Sequence, residues 1–224
     1  RHTKPGCRPI ADIEDSRIIT SPADATFDGS WEVRGDDTIE IKGIHWKISE
    51  LLEGSPYKDR FAGGKWMHSF LGPADYHRQH APVGGRVLES RDIMGDVYLE
   101  VTAVPDPASG RNRLEAKRVN TFDAPDNPGY EFMQNRGLVV LDSPIGLVAV
   151  LPMGMGQVSS VIMTAEVGKV LRKGEEISYF QFGGSDIVMV FEAACNVNFT
   201  ARPGVHYKVG TKIGEAYPTI YPAR

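Results

Sequence analysis

The chain is short of cysteine, of long apolar runs and of positive charge, and each shortage excludes a class of protein. Its two cysteines, Cys7 and Cys195, are too few for the disulfide framework of a small secreted domain. Cys195 follows an apolar run, which predicts a buried free thiol and mildly favours a reducing compartment. The net charge of −4 opposes nucleic-acid binding, because proteins that bind nucleic acid usually present a basic surface.

No stretch approaches the roughly 18 apolar residues of a membrane-spanning helix, and no signal peptide is visible. We therefore expect the chain as written to be soluble, either cytoplasmic or peripheral to a membrane. It begins at Arg1 rather than at methionine, so the sequence leaves open a trimmed leader or anchor and, with it, membrane association.

What the chain does contain indicates one β-rich domain spanning residues 1–224. With 224 residues, of which 41% are hydrophobic, it is large enough to bury a core. Residues 47–53 predict a short helix that ends at Gly54. Strand patterns occupy residues 17–20, 38–42, 66–71, 97–101, 138–141, 146–151, 158–164, 177–182 and 187–191.

Residues 167–177 resemble the turn of a lipoyl or biotinyl domain, and residues 209–215 echo that pattern weakly. The predicted fold class is therefore mainly β (α+β), with a barrel-sandwich-hybrid-like core and few short helices. A carrier module is the alternative without enzymatic activity, but we find no lysine displayed on a hairpin tip. Residues 105–129 are rich in proline, glycine and polar side chains, which predicts a long surface loop, either a lid or a tolerated insertion.

The segment Gly183-Gly184-Ser185 interrupts two strand-like runs, residues 178–182 and 187–191. Two glycines weaken a strand and permit backbone conformations that other residues avoid. A serine hydroxyl beside a strained carbonyl can attack it and move the acyl group from nitrogen to oxygen. β-Elimination then cleaves the chain, and hydrolysis leaves a pyruvoyl group. The alternative is a Gly-Gly bulge that carries a solvated serine.

Other segments resemble the phosphatidylserine decarboxylase family of pyruvoyl enzymes, and the resemblance covers roughly residues 17–192. The motif Asp-Tyr-His-Arg-x-His-x-Pro is its most specific part. The matching segments, in the family's order, are Ser21-Pro22-Ala23-Asp24, residues 70–82, Lys173-Gly174-Glu175-Glu176 and Gly183-Gly184-Ser185.

The resemblance implies that Asp24, His77 and Ser185 act together in self-cleavage between Gly184 and Ser185. His77 would be the base and Asp24 would orient it, which is the logic of a serine activated by a carboxylate-held imidazole. The fragments 1–184 and 185–224 would stay associated, and the cofactor would be the pyruvoyl group formed from Ser185. Whether the protein forms a homo-oligomer is left open.

In such an enzyme the substrate amine forms a Schiff base with the pyruvoyl ketone, which accepts the electrons released as CO2 leaves. His77 is the natural proton donor to the resulting carbanion, and His80 is its neighbour. If residues 77–80 are helical, both imidazoles share one face and one pocket.

Three further side chains are candidates for the substrate site. Arg78 has the planar fork that binds a carboxylate or phosphate, or it forms a structural salt bridge. Phe180 and Phe182 alternate before the glycines and would line one wall, with core packing expected for at least one of them.

We predict no metal site. His45 and His68 have no identifiable acidic or cysteine partner with which to form one alongside His80. Together with His206 they are interpreted as ordinary packed or polar histidines.

The chain departs from the family's pattern in three places. Asp186 stands where threonine usually follows the cleaved serine, Ser159-Ser160 replaces Gly-Ser, and Asn135-Arg136-Gly137 lacks the usual Asn-Glu-Arg order. Two substrates therefore stay open: phosphatidylserine, giving phosphatidylethanolamine, and a free amino acid, aromatic ones included, as in related fungal decarboxylases. A third alternative is an uncleaved relative that only binds.

Overall fold

The computed structural model describes residues 6–41, 44–95, 101–106, 111–116, 134–154, 161–181 and 186–219. Strands dominate these residues, and the few helices are short, so the predicted β-rich class is confirmed. The helices are α1 (Ile48–Leu51) and the 3-10 turns Lys58–Arg60 and Ala193–Cys195. The strands are β1 (Ile18–Thr20), β2 (Ala25–Glu32), β3 (Thr38–Ile41), β4 (Ile44–Lys47), β5 (Lys65–Phe70), β6 (Arg78–His80), β7 (Gly85–Ile93), β8 (Val101–Asp106), β9 (Arg111–Ala116), β10 (Arg136–Ser143), β11 (Gly146–Met153), β12 (Val161–Met163), β13 (Val170–Leu171), β14 (Glu176–Phe180), β15 (Asp186–Phe191), β16 (Val197–Phe199), β17 (His206–Tyr207) and β18 (Lys212–Ala216).

An antiparallel eight-stranded sheet forms the centre of the fold, in the order β13-β7-β10-β11-β15-β5-β2-β17. Its middle strands are buried on both faces. On β10, Val139 and Leu141 face one hydrophobic core, whereas Leu138 and Val140 face the other. Because successive side chains of a strand point to opposite faces, a strand between two cores is apolar at nearly every position. This explains the continuous apolar runs in the sequence.

The other strands of the described residues form smaller sheets. β1, β18 and β16 form one three-stranded sheet, and β12, β14 and β6 form another. β3 and β4 form a hairpin, as do β8 and β9.

Several strand predictions are confirmed, namely those at residues 17–20, 38–42, 66–71, 138–141, 146–151 and 187–191. Those at 158–164 and 177–182 are confirmed over Val161–Met163 and Glu176–Phe180, while residues 97–100 lie outside the described residues. The predicted helix is shorter than expected, because only Ile48–Leu51 is helical; the chain turns at Gly54, whose φ is 74°.

Two expectations were wrong. The segment at residues 77–80 is not helical, because Arg78–His80 forms β6 and pairs with β14. An extended chain does not place residues three apart on one face, so helical spacing does not bring the two imidazoles together. The long loop expected from residue 105 is partly a hairpin, since Pro105 lies in β8 opposite Asn112 of β9. Proline is tolerated there because each strand of a two-stranded hairpin has an edge that needs no N–H donor.

Gly64, which precedes β5, is packed too tightly for any side chain. A Cβ atom at this position would lie 1.9 Å from the carbonyl oxygen of Phe191, which is backbone and cannot move aside. We expect Gly64→Ala to lower the free energy of unfolding by about 3 kcal/mol or more, as overpacking does. Urea unfolding measures it. Gly35→Ala is the control, because its Cβ would meet nothing within 4 Å; equal midpoints for the two variants would contradict the prediction.

Candidate functional site

The predicted cleavage segment connects two sheets. β14 ends at Phe180 in the small sheet, and β15 begins at Asp186 in the central sheet. Phe182, Gly183, Gly184 and Ser185 lie outside the described residues, so their predicted roles stay predictions. Both ends of the connection are anchored, since Phe180 is buried and Asp186 pairs with Phe70 and Met153 on either side.

Asp24 is a buried carboxylate between β1 and β2. Arg8 donates two hydrogen bonds to it, one of them from Nε to Oδ1 at 2.7 Å. The N–H of Val209 donates to the same Oδ1 at 2.9 Å. Burial raises the pKa of Asp24, but the hydrogen bonds from Arg8 and Val209 outweigh it and hold the pKa below its usual value. Asp24 is therefore an ionised carboxylate at neutral pH.

His80 is held by both ring nitrogens. Nδ1 lies 2.8 Å from the carbonyl oxygen of Gly174, and Nε2 lies 3.2 Å from the hydroxyl of Tyr76. A carbonyl can only accept, so Nδ1 carries the hydrogen and Nε2 of the neutral ring has the lone pair. Burial lowers the pKa of His80, which keeps the ring neutral at pH 7. His80 is thus prepared to accept a proton at Nε2.

A chain of contacts connects Asp24 to His80. The guanidinium of Arg8 lies 4.8 Å from the centre of the Tyr76 ring, and that ring stacks on His80 at 5.7 Å. The charge of Asp24 also acts on the His80 ring. Arg8 could not be found from the sequence, because nothing in the residues around it distinguishes it from other arginines.

His77 lies apart from this chain of contacts. Its Nε2 is 3.1 Å from the carbonyl oxygen of Gly72, and its ring meets Phe180 edge-on at 6.0 Å. The hydrogen bonds found for Asp24 do not include His77, so the structure does not bring the predicted carboxylate–imidazole pair into contact. It does bring His77 against Phe180, which also belongs to the buried core.

Arg78 was expected either to bind a substrate carboxylate or phosphate or to form a structural salt bridge, and in the structure it forms a salt bridge. Its Nη1 donates to both carboxylate oxygens of Glu176 at 2.7 Å, and its guanidinium lies over the ring of Tyr179. A substrate carboxylate would have to compete with Glu176 for it.

Sequence reasoning missed a second group of polar side chains, Asp28, His68 and Asp186, of which only Asp186 adjoins Ser185 in the sequence. His68 is fully buried on β5 between two carboxylates, with Nδ1 2.6 Å from Asp28 and Nε2 3.3 Å from Asp186. Among the described residues no group of three or more histidine, cysteine or acidic side chains is arranged to hold a metal ion. Only the position of Asp186 directly after Ser185 could have drawn attention to this group.

Cys195 is a buried free thiol, as predicted. Burial raises its pKa to about 12, so it is protonated at neutral pH and is not a nucleophile. Within the described ranges, no helix has the length and apolar composition to cross a membrane.

Comparison with known proteins identifies the family. A family model described as phosphatidylserine decarboxylase matches residues 1–215. The chain is 32% identical over 193 residues to phosphatidylserine decarboxylase proenzyme 3 of Schizosaccharomyces pombe, a match that covers 86% of this chain and 18% of that protein. It is 29% identical over 235 residues to the phosphatidylserine decarboxylase proenzyme of Anaeromyxobacter sp. strain K, covering 96% of this chain and 76% of that one.

A further relative is decarboxylase iboD of Amanita muscaria, which is 30% identical over 233 residues, covering 97% of this chain and 64% of that protein. The chain thus spans less than a fifth of the S. pombe relative and about two thirds to three quarters of the other two. The match of the family model over nearly all of its length shows that the chain belongs to the phosphatidylserine decarboxylase family.

Proposed function

We propose that this protein is a self-processing, pyruvoyl-dependent decarboxylase that converts phosphatidylserine to phosphatidylethanolamine. The observation that carries the proposal is the family match over residues 1–215, which includes Gly184-Ser185 and both histidines of the Asp-Tyr-His-Arg-x-His-x-Pro motif. Two relatives are named as phosphatidylserine decarboxylase proenzymes, which supports both the substrate and the processing.

Self-cleavage would proceed by an acyl shift, an elimination and a hydrolysis. The Oγ of Ser185 bonds to the carbonyl carbon of Gly184 as the peptide C–N bond breaks, and the nitrogen takes a proton. Loss of the Cα proton of Ser185 then breaks the Cβ–Oγ bond and releases residues 1–184 with a carboxylate. The dehydroalanine left at residue 185 rearranges to an imine. Water then hydrolyses this imine, which releases ammonia and leaves the ketone of the pyruvoyl group. In turnover this group supplies the electron sink for decarboxylation.

The fold is suited to hold the two fragments together after the cut. β15 lies between β11 and β5 in the central sheet, while β17 pairs with β2 and β18 pairs with β1. Three strands of the smaller fragment therefore form four hydrogen-bonded pairings with strands of the larger one. The new N-terminus would be residue 185, which directly precedes β15 in the sequence.

Two imidazoles are available for the proton transfers. His77 is proposed as the base with Asp24, and it contacts Phe180 near the start of the cleavage segment. His80 is the second candidate, because its neutral Nε2 and its connection to Asp24 through Arg8 and Tyr76 suit a base. Phe180, Phe182 and Arg78 are proposed to border the substrate.

Intact-mass measurement of the denatured protein tests the proposal. We expect two fragments, residues 1–184 and 185–224, with the smaller trapping an amine in the presence of borohydride. Phosphatidylserine vesicles should then yield CO2 and phosphatidylethanolamine. A single 24.6 kDa chain without decarboxylase activity would instead indicate an uncleaved relative that only binds.

A free amino acid is the second candidate substrate. The A. muscaria relative is named a decarboxylase with no mention of a lipid, and Asp186 stands where the lipid-acting family usually has threonine after the cleaved serine. A cleaved protein that does not sediment with vesicles but releases CO2 from tryptophan would favour this substrate over phosphatidylserine.

A further inference from the structure

The loop between β5 and β6 carries Asp75 and His77, and its own hydrogen bonds close it. The N–H of Gly72 donates to Oδ2 of Asp75 at 2.8 Å, and the N–H of Asp75 donates to the carbonyl oxygen of Gly72 at 3.0 Å. The same carbonyl oxygen lies 3.1 Å from Nε2 of His77. A carbonyl oxygen has two lone pairs, so it can accept from both the backbone and the ring. Asp75 therefore fixes the group that the His77 ring contacts.

A histidine from a distant part of the sequence holds Asp75 from its other side. Nε2 of His206 lies 3.0 Å from Oδ1 of Asp75, so the two carboxylate oxygens have different partners. In the central sheet His206 of β17 is opposite Thr26 of β2, and Thr26 is opposite Phe70, the last residue of β5. Three neighbouring strands thus put His206 beside the start of the loop. Because the contact is partly exposed, it orients Asp75 more than it stabilises the fold.

The contact with Gly72 determines which nitrogen of His77 can exchange a proton. A carbonyl oxygen only accepts, so Nε2 carries hydrogen in the neutral ring and in the imidazolium alike. The proton that the ring gains or loses is therefore the one on Nδ1, to which no hydrogen bond is found among the described residues. His80 has the opposite arrangement, because its Nδ1 faces the carbonyl of Gly174 and its Nε2 has the lone pair. The two histidines of the motif thus present different nitrogens.

Two contacts with Phe180 fix the remaining freedom of His77. The N–H of Phe180 donates to the carbonyl oxygen of His77 at 3.0 Å, and the two rings meet edge-on at 6.0 Å. A contact between ring edges has no donor or acceptor that would distinguish the imidazole from its flipped form, in which Cε1 takes the place of Nε2. The hydrogen bond to Gly72 therefore decides which way the two nitrogens of His77 face.

We propose that Asp75 and His206 are positioning residues for His77, which hold the Gly72 carbonyl against Nε2 so that the ring exchanges protons with the substrate through Nδ1. This inference rests on the proposed role of His77 in decarboxylation. A proton given up at Nδ1 leaves the ring neutral, with Nε2–H still bound to Gly72, and a proton from water restores it. His206 belongs to the proposed smaller fragment, so this arrangement also makes the position of His77 depend on a contact between the two fragments.

The tautomer of His77 is the direct test, read by nitrogen-15 NMR of the full-length protein with labelled histidine. At about pH 9, above the ordinary imidazole pKa of about 6.5, a ring nitrogen with a lone pair resonates far from one that carries hydrogen. We expect hydrogen on Nε2 and a lone pair on Nδ1 of His77, with the reverse for His80 in the same spectrum. The resonances missing from His77→Gln assign the ring. A lone pair on Nε2 of His77 overturns the inference, whether or not the protein is cut.

Asp75→Ala tests whether this position matters for turnover. The N–H of Gly72 loses its acceptor, so we expect a mixture of His77 tautomers. We expect kcat for decarboxylation, per cleaved molecule, to fall roughly 10- to 100-fold with little change in KM, as for a misplaced reacting group. Asp75→Asn keeps an acceptor for that N–H and should recover most of both. His206→Ala should change both in the same direction but by less, because Asp75 keeps its bond to Gly72.

Asp36→Ala is the matched control, because Asp36 also closes a turn, by accepting from Thr38 at the start of the separate β3–β4 hairpin. It should leave tautomer and turnover unchanged. A parent without decarboxylase activity contradicts the proposed function, while its spectrum still decides the tautomer. An active parent whose Asp75→Ala variant keeps both tautomer and kcat overturns the inference and leaves the proposed function standing. If circular dichroism shows that Asp75→Ala does not fold, an unchanged tautomer and kcat in His206→Ala overturn it instead.

Discussion

Replacing Ser185 with alanine is expected to leave one uncut chain of 24.6 kDa that has no decarboxylase activity. Alanine has no Oγ, so neither the acyl shift nor the subsequent elimination can begin. The residue after it, Asp186, is buried in β15, and its carboxylate cannot form the serine ester whose β-elimination yields a pyruvoyl group. Processing should fall below detection by intact mass, and activity should disappear with it because no pyruvoyl group forms.

The control for this experiment is Ser30→Ala, which removes an exposed hydroxyl on β2. It should be cut like the parent. A Ser185→Ala protein that is still divided between residues 184 and 185 would show that an external protease makes the cut. Loss of the cut in both variants would indicate a general folding defect, which circular dichroism would reveal.

The middle strands of the central sheet were predictable because a continuous apolar run in the sequence indicates a strand that is buried on both faces. β10, β11 and β15 are buried on both faces, so nearly all their residues are apolar and the runs stand out. β2 was missed because Asp28, Gly29 and Ser30 interrupt its apolar pattern. A β-bulge at Asp28 accompanies that interruption. The bulge arises in the pairing of β2 with β5, which is distant in sequence, so a local pattern does not reveal it.

The site residues were predictable only where a local sequence motif contains them. The motif at residues 75–82 identified His77 and His80, but not that the segment is extended, because its pairing with β14 overrides local preference. Arg8 and Asp24 are 16 residues apart, and Asp28 and Asp186 are farther still. No periodic pattern joins such residues, so only the fold reveals that Arg8 holds Asp24 or that His68 lies between two carboxylates.

Substituting either histidine of the motif should separate processing from turnover. We expect His77→Gln to lower self-cleavage or decarboxylation by about 10²- to 10⁴-fold, the usual contribution of a general acid–base group. We expect His80→Gln to slow self-cleavage by a similar factor, because glutamine cannot accept a proton as Nε2 does. Intact mass measures the first step, and CO2 release per cleaved molecule measures the second.

The pH dependence of processing provides an independent check on His80. Its burial lowers the pKa of the ring, so the lone pair at Nε2 should persist to a pH below the ordinary histidine value of about 6.5. If His80 is the base, the rate of self-cleavage should stay constant as the pH falls through the ordinary histidine pKa. The rate should decrease only near the lowered pKa of the His80 ring. The acid limb should disappear from the residual rate of His80→Gln.

His45→Gln is the matched control, because His45 is a half-exposed histidine on β4 that contacts Glu40 and Arg34. It should be cut and active like the parent. A variant that stays uncut lacks the base of self-cleavage, whereas one that is cut but inactive lacks the proton donor of turnover. A His77→Gln protein that is both cut and fully active would refute its proposed role, and His80 would then be the imidazole that Asp24 supports through Arg8 and Tyr76.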